Sequence, residues 1–270
     1  MQRDPRPVAL ITGAGSGIGR ALAIEGARRG RALVLVGRRT SALAETATLC
    51  DQPCLQVGAD LTTAGGRAEV VRVVAESVGR LDLLLNNAGV VAACPFAETS
   101  DAALERMVAL NLVAPAALTR DLLPWLRRGS APRVVNVGSM FGDIAFPMFA
   151  GYSATKFGLR GLSDALRREL AGDGIGVTYA APRATATPAA DGFAHLIEPM
   201  RMRLDAPERV AARIWRAAER GARSVYPRGP EMLFVAIQRL FPALVDRDLR
   251  KLAMSPELRP AVTTIERVDG

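Results

Sequence analysis

Residues 8–20 read VALITGAGSGIGR, in which a short apolar run passes directly into four closely spaced glycines. The apolar run predicts a buried strand, and the residues after Gly17 have the spacing of a helix. Glycines allow a tight turn between the two elements and let a ligand approach the backbone. The spacing is GxxxGxG rather than the common GxGxxG. Because the first amides of a helix attract anions, this strand–turn–helix context indicates a site for a nucleotide phosphate.

The same alternation of strand and helix continues along the chain. Seven short runs predict strands at 8–12, 32–36, 54–59, 82–86, 133–138, 175–181 and 224–226. Segments of helical period lie near 17–29, 40–50, 63–79, 101–127, 151–172 and 207–220. Strands that are apolar on both faces are typical of a parallel sheet covered by helices on both sides. The sequence therefore predicts a Rossmann-like, doubly wound α/β fold of about seven strands, with ligands beyond the carboxyl ends of the strands.

The composition favours one large globular domain. The chain has 270 residues, of which 49% are hydrophobic and 23% charged, and this excludes a disordered or disulfide-scaffold protein. The formal net charge is +8, but the basic residues are spread along the chain without a binding motif, so we expect no nucleic-acid partner. The three cysteines lack the usual zinc spacing, so we expect no metal. The short N-terminal apolar run and the lack of a long apolar stretch predict a cytoplasmic protein.

Two arginines follow the second predicted strand, where an acidic residue would bind the adenosine ribose of NAD. The residues there are Gly37, Arg38 and Arg39. An arginine can pair with a 2′-phosphate through its planar guanidinium group. We therefore expect NADP(H) to be favoured, with NAD(H) possible. The alternative interpretation is that both arginines are solvated charges at the start of a helix.

Tyr152 and Lys156 are four residues apart on a predicted helix and therefore share one face. An ammonium group at about 5 Å, with an effective dielectric of about 20, favours the phenolate by about 3 kcal/mol, or about two pKa units. We expect Lys156 to lower the pKa of Tyr152, so that the tyrosine exchanges a proton near neutral pH. The alternative is a tyrosine that merely packs over the stem of the lysine.

Taken together, these residues resemble the single-domain branch of the short-chain dehydrogenase/reductase family. The likeness covers roughly residues 7–228, and the matching pieces occur in the family's order. They are TGxxxGxG at 12–19, Asp60-Leu61 after the third strand, NNAG at 86–89, Asn111, Ser139 and YxxxK at 152–156. Each piece is weak alone, but the combination is specific.

The resemblance implies hydride transfer between a nicotinamide cofactor and the carbonyl or secondary alcohol of a small molecule. Tyr152 would be the acid or base, Ser139 would hold the substrate oxygen, and Asn111 would hold a water connected to Lys156. A nucleotide-sensing regulator of the same fold is the alternative, but such a regulator would have lost the Ser, Tyr and Lys set, which is intact in this sequence. The implied cofactor contacts are Gly13, Ser16, Gly17, Ile18, Gly19, Arg38, Asp60, Leu61, Asn86, Ala88, Gly89, Tyr152, Lys156 and Thr187.

The helices near 101–127 and 151–172 are where relatives assemble, so the resemblance also implies a homodimer or homotetramer. Substrate specificity is expected from the loops after Ser139 and Pro182. Where the family usually has glycine after this proline, the chain has Arg183, which would narrow the pocket, favour an acidic substrate or point outward. The apolar loop residues predict a hydrophobic ketone, aldehyde or alcohol as substrate. They are Met140, Phe141, Ile144, Phe146, Phe149, Phe193 and Leu196, with His195 as a loop residue.

A helical extension at 229–270 follows the predicted oxidoreductase domain at 1–228. Its apolar residues recur mostly at spacings of three or four, and Pro242 is expected to open a second helix. The extension has four possible roles: packing on the core, covering the substrate entrance, forming a subunit contact, or lying on an anionic membrane to serve a lipid or steroid-like substrate. The apolar residues are Leu233, Ile237, Leu240, Phe241, Leu244, Val245, Leu249 and Leu252.

Overall fold

The computed structural model describes residues 5–255 and 258 and has a parallel sheet of seven strands at its centre. The order across the sheet is β3-β2-β1-β4-β5-β6-β7, and every neighbouring pair is parallel. This is the predicted Rossmann-like fold, and each strand lies within one residue of its predicted bounds. The strands are β1 Val8–Thr12, β2 Ala32–Gly37, β3 Cys54–Gly58, β4 Leu83–Asn86, β5 Arg133–Val137, β6 Gly176–Ala180 and β7 Ser224–Val225.

Helices cover both faces of the sheet, and the six predicted helical segments are confirmed. Two of them contain a π-helical turn, at Val74–Val78 after α3 and at Ala109–Val113 between α4 and α5. The helices are α1 Gly17–Arg28, α2 Thr40–Leu49, α3 Ala64–Val73, α4 Asp101–Val108, α5 Ala114–Leu126, α6 Ala150–Glu169, α7 Pro188–Asp191, α8 Ala194–Ile197, α9 Pro207–Glu219, α10 Glu231–Leu240 and α11 Pro242–Ala253.

Each central strand contributes to two separate cores because alternate side chains point to opposite faces of the sheet. In β1, Ala9 and Ile11 belong to the core under α1 and α9, whereas Val8 and Leu10 belong to the core on the other face. Burial on both faces explains why the strand reads as a continuous apolar run. The largest side chain of the first core is Trp215, whose indole nitrogen donates to the carbonyl oxygen of Leu22 at 2.9 Å.

The stretch Asp101–Leu126 is long and apolar enough to cross a membrane by length and composition. In the fold it packs against the sheet through Leu118, Leu122 and Leu126, all fully buried. A core helix of this kind has the composition of a membrane span without the function.

The sheet extends in two directions from β1, with β2 on one side of it and β4 on the other. The chain leaves β1 towards one edge of the sheet and returns to the other side of β1 with β4. Loops that leave neighbouring strand ends in opposite directions open a crevice, and ligands bind there in open α/β sheets. The fold thus brings the predicted motifs after each strand to one edge.

The C-terminal helices α10 and α11 pack beside the ends of β5 and β6. Val235 and Val245 are buried in one apolar cluster with Met140, Ile144 and Tyr179. Helices in the extension and the second helix at Pro242 were both predicted, and both are present. The rest of the predicted extension, residues 256–257 and 259–270, lies outside the described residues.

Replacing Gly26 by alanine is expected to lower the free energy of unfolding by about 1–3 kcal/mol. The added methyl carbon would lie 2.7 Å from Cζ2 of the buried Trp215, which its hydrogen bond holds in place. Urea denaturation monitored by circular dichroism measures the change. Gly161→Ala is the matched control, since Gly161 is also helical and its added carbon meets nothing within 4 Å. We expect the control to gain up to about 1 kcal/mol, and equal stability of the two variants would contradict this account of the α1–α9 contact.

Candidate active site

The hydroxyl group of Thr12 ties the end of β1 to the end of β4. Its oxygen accepts the backbone amides of Asn87 at 2.9 Å and Ala88 at 3.0 Å, and it donates to the carbonyl oxygen of Leu85 at 3.3 Å. The side-chain amide of Asn87 donates in turn to the carbonyl oxygen of Thr12 at 2.9 Å. These bonds hold the loop after β4 against the glycine-rich turn.

The glycine-rich turn needs glycine at two positions for conformation and space. Gly13 and Gly17 have φ of +66° and +53°, which side chains rarely adopt. A Cβ atom on Gly13 would lie 2.9 Å from Cα of Ala88, and one on Gly17 would lie 3.0 Å from the side chain of Thr187. The backbone at the start of α1 is therefore bare, and its amides are accessible to an anion.

These loops surround a cavity of about 1450 Å³. All but three of the predicted site residues line it, although they come from the ends of six strands and from helices α1 and α6. The lining residues from the prediction are Gly13, Ser16, Gly17, Ile18, Arg38, Asp60, Leu61, Ala88, Gly89, Ser139, Tyr152, Lys156 and Thr187.

Asn86 and Gly19 lie outside the cavity lining. The side-chain amide of Asn86 is buried and donates to Thr119 Oγ1 at 3.0 Å and to Asn136 Oδ1 at 2.9 Å. The neighbouring Asn87 lines the cavity instead, because successive side chains at a strand end point to opposite faces. Asn86 thus links β4 to β5, and the cofactor contact predicted for it stays a prediction. Gly19 lies beneath the turn, where a Cβ atom would overlap the carbonyl oxygen of Gly13.

Asn111 is the third predicted residue outside the cavity lining. It lies in the π-helical turn Ala109–Val113 and is 1% exposed. Its side-chain oxygen accepts the amide of Val90 at 2.9 Å, and its nitrogen donates to the carbonyl oxygen of Val90 at 2.9 Å and to Thr155 Oγ1 at 3.1 Å. Asn111 thereby joins the loop after β4 to α6. The water implied for it by the family likeness stays a prediction.

Ser139, Tyr152 and Lys156 meet at one wall of the cavity. Ser139 caps the short 3₁₀ turn Met140–Gly142, where its hydroxyl oxygen accepts the amide of Phe141 at 3.1 Å. Lys156 is 4% exposed and lies one helical turn beyond Tyr152 on α6, with its ammonium 5.5 Å from the centroid of the tyrosine ring. The ammonium donates to the carbonyl oxygen of Val137 at 3.0 Å, which anchors it to the end of β5.

Burial controls the protonation of this wall. Desolvation raises the pKa of Tyr152 to about 12, although its hydrogen bond with Ser139 acts in the opposite direction. Desolvation also lowers the pKa of Lys156 to about 8. The tyrosine pKa is thus raised and not lowered as expected, because the cost of removing the phenolate from water outweighs the effect of Ser139.

Tyr179 on β6 positions Ser139 and was missed by the sequence analysis. Its hydroxyl group donates to the carbonyl oxygen of Ser139 at 3.1 Å and accepts the Ser139 amide at 3.4 Å. A side chain on Gly138 or Gly142 would overlap the tyrosine, so these two glycines make a slot for it. The sequence indicates this arrangement only by the glycines on either side of Ser139. That Tyr179 is the side chain they accommodate is visible only from the pairing of β5 with β6.

The adenosine end of the predicted cofactor site carries two arginines. Arg38 and Arg39 line the cavity directly after β2. Asp60, after β3, accepts the amide of Thr62 at 2.9 Å and its hydroxyl at 2.7 Å, and these bonds hold the pKa of its carboxyl below the usual range, with a smaller contribution from Arg38. A bare helix N-terminus with these charged side chains fits a dinucleotide.

Of the three possibilities for Arg183, an outward-pointing side chain was favoured. The structure shows that its side chain does not point outward. Its guanidinium pairs with Asp205 at 2.8 Å and with Glu231 of α10, and its side chain is 16% exposed. Asp205 also pairs with Arg213 at 3.2 Å. Two carboxylates compensate the charge of Arg183. It connects the loop after β6 to the C-terminal helices.

The substrate half of the cavity is apolar and aromatic. Phe141 lies between Phe146 and Phe149, with ring centroids 5.0 and 4.8 Å away, and meets the ring of Tyr152 edge-on at 6.2 Å. Helices α10 and α11 complete the wall. All the predicted pocket residues line the cavity except His195 and Leu196. The apolar side chains from the two helices are Phe234, Ile237, Leu244, Val245, Leu249 and Leu252, and Glu231, Arg247 and Asp248 also line the cavity.

Comparison with known proteins shows which family shares this sequence and fold. Residues 7–195 match the family model of short chain dehydrogenases. The chain is 30% identical over 241 residues to 3-ketodihydrosphingosine reductase from Bos taurus, a likeness that covers 81% of this chain and 72% of the relative.

Solved structures of similar proteins show the same fold with bound cofactors. A short-chain dehydrogenase from Sphingobium yanoikuyae in complex with NADPH is 29% identical, with a TM-score of 0.76 and coverage of 89% of this chain and 95% of that one. A short chain dehydrogenase/reductase from Burkholderia phymatum in complex with NAD is 26% identical, with a TM-score of 0.81 and coverage of 90% and 96%.

The ammonium of Lys156 is expected to titrate near pH 8, because burial disfavours its charged form. The measurement is an NMR pH titration of protein labelled with ¹³C-lysine. The chain has only two lysines, so Lys251→Arg leaves the Lys156 resonance alone in the spectrum. A Lys156 resonance that titrates at or above the ordinary lysine pKa would contradict the burial of this group.

Proposed function

The chain belongs to the short-chain dehydrogenase family, and from this premise we propose that it is an NADP-dependent reductase of apolar carbonyl compounds. One observation carries the proposal: Ser139, Tyr152 and Lys156 lie together on a cavity wall. The bare glycine-rich turn opens into the same cavity. A proton donor and a nucleotide-phosphate site thus share one enclosed space.

The residues present fit a nicotinamide dinucleotide. The amides at the start of α1 and the guanidinium of Arg38 would hold its phosphates, Asp60 would contact its adenine, and Lys156 and Thr187 would hold its nicotinamide end. When bound, this coenzyme supplies the hydride, which is the part of the reaction that side chains cannot perform. The side chains supply position and protons.

Tyr152 is suited to give a proton to a carbonyl oxygen. Its raised pKa, about 12, keeps the hydroxyl group protonated at neutral pH. Ser139 would hold the carbonyl oxygen beside it by a hydrogen bond, so that the oxygen receives the proton as it becomes a hydroxyl group. The ammonium of Lys156 then faces the phenolate that remains and limits the cost of its charge.

The substrate class follows from the walls of the cavity. The ring of Tyr152 meets that of Phe141 edge-on, and the charge of Arg183, which also lines the cavity, is compensated by two carboxylates. An apolar ketone or aldehyde fits such a surface better than a sugar or an acid. The name of the bovine relative, a 3-ketodihydrosphingosine reductase, supports reduction of a keto group on an apolar molecule.

The preference for NADP rests on Arg38, since solved relatives hold either NADPH or NAD. Arg38 and Arg39 stand at the end of β2, where a carboxylate would repel a 2′-phosphate. A guanidinium at this point favours the phosphorylated cofactor through a charge-assisted pair.

Assembly into a homodimer or homotetramer is part of the proposal. The helices expected to mediate it carry exposed apolar side chains, Val113 at 47% and Phe157 at 43%. We also propose that the protein is cytoplasmic.

Replacing Arg38 by serine is expected to weaken NADPH binding about 10- to 100-fold and to leave NADH binding within about threefold, because only the phosphorylated cofactor loses a charge-assisted bond. Titration of cofactor fluorescence measures both affinities. Arg28→Ser is the matched control, because Arg28 is exposed at the end of α1 and does not line the cavity. A wild-type protein that binds NADH more tightly than NADPH would overturn the proposed preference.

Replacing Tyr152 by phenylalanine is expected to abolish turnover and to preserve NADPH binding, because only the hydroxyl group that gives the proton is lost. NADPH consumption at 340 nm, tested across ketones and aldehydes, measures turnover. Tyr226→Phe serves as the control, since the Tyr226 hydroxyl lies 3.1 Å from Asp143 and outside the cavity lining. We expect it to keep turnover within about threefold. Retained turnover in the Tyr152 variant would remove this residue from its proposed role.

A further inference from the structure

Exposed apolar side chains are concentrated on the C-terminal helices. In the described part of the chain, half of the large apolar side chains that are exposed lie between Met232 and Met254. That segment holds 23 of the 270 residues. Scattered apolar residues on a surface are ordinary, but a contiguous group marks a surface that binds something.

The centre of this group is the corner between α10 and α11, residues 240–244, called here the apolar corner. Its sequence is LFPAL, and all five residues are exposed. Leu240, Phe241 and Leu244 are 71%, 60% and 48% exposed. Pro242 starts α11 immediately after Phe241, so the corner is a stiff projection and not a loose loop.

Basic residues flank the apolar corner on both sides. Arg239 precedes it, and Arg247, Arg250 and Lys251 follow on α11. Arg239 reaches Asp143 at 3.2 Å but remains 53% exposed. From Arg239 to Lys251 the chain carries four cations against two carboxylates, of which Asp248 lies 3.6 Å from Arg247. Long basic side chains beside an apolar projection can reach lipid phosphates while the projection enters the acyl region.

The cavity opens beside the apolar corner. Phe234 and Leu244 line the cavity and are also 52% and 48% exposed, so its apolar wall continues onto the outer surface of the two helices. A second copy of the chain seated on the corner would cover this opening. A lipid surface would instead place an apolar molecule next to it.

We propose that the apolar corner docks on the surface of an anionic phospholipid bilayer, with Leu240 and Phe241 inserted and the flanking basic residues at the phosphates. Apolar substrates then enter the cavity from the lipid without crossing water. The docking stands on the exposed residues of α10 and α11, and only the passage of substrate rests on the proposed function.

Flotation with vesicles tests the docking on the full chain, without cofactor or substrate. The protein is expected to bind vesicles of phosphatidylcholine with phosphatidylserine more tightly than vesicles of phosphatidylcholine alone. Leu240→Ser with Phe241→Ser is expected to lower binding to the anionic vesicles at least about tenfold. Leu49→Ser with Leu55→Ser is the matched control, since these leucines are 53% and 40% exposed elsewhere, and its binding should stay within about twofold.

A charge variant separates insertion from attraction to the headgroups. Arg250→Gln with Lys251→Gln is expected to weaken binding to the anionic vesicles about tenfold and to leave binding to phosphatidylcholine alone unchanged. Equal binding of the wild type and the Leu240/Phe241 variant overturns the proposal. A wild type that ignores vesicles, together with a smaller assembly of that variant in analytical ultracentrifugation, overturns it in favour of a subunit contact.

Turnover of a water-soluble aldehyde distinguishes this proposal from the proposed function. Leu240 and Phe241 do not line the cavity, so the variant should reduce such a substrate as fast as the wild type does. A loss of vesicle binding with intact turnover supports docking as a separate property. Turnover is assayed without lipid. If the variant loses as much turnover in this assay as it loses vesicle binding, the proposal of a separate docking property is contradicted, because the corner would then act on the cavity itself.

Discussion

The cavity depends on the hydrogen bonds that one hydroxyl group, on Thr12, makes between the ends of β1 and β4. The sheet order reverses at β1, so the two loops that leave these strands would otherwise separate. Held together, they press Ala88 against Gly13 so closely that only glycine fits in the turn. The bare start of α1 and the loop after β4 therefore face the same space, which is the condition for binding a long dinucleotide in one cleft.

The cavity wall that holds Tyr152 and Lys156 shows how burial acts on two neighbouring titratable side chains. Tyr152 and Lys156 share a face of α6, and that face is pressed against the end of β5 through the bond from Lys156 to Val137. The same dry surroundings raise the pKa of the phenol and lower that of the ammonium. The phenol is therefore protonated at neutral pH, which is the state that the proposed proton donor needs.

The substrate side is built from parts that are distant in sequence. Arg183 occupies the place of an expected glycine and pairs with Glu231, so an ion pair joins the loop after β6 to α10. Tyr179 fills the slot between Gly138 and Gly142 and fixes the backbone of Ser139. The C-terminal helices then close the apolar half of the cavity and present their own exposed corner beside it.

The strands, the glycine-rich turn and the pairing of Tyr152 with Lys156 were all predictable from the sequence, because each depends on neighbours a few residues apart. Residues such as Thr12, Asn87 and Tyr179 were not, since their partners lie 40 to 76 positions away and are brought near only by strand register. The direction of the tyrosine pKa was also decided by the tertiary structure. Spacing along a helix reveals the attraction between two groups, whereas the cost of removing them from water depends on everything packed around them.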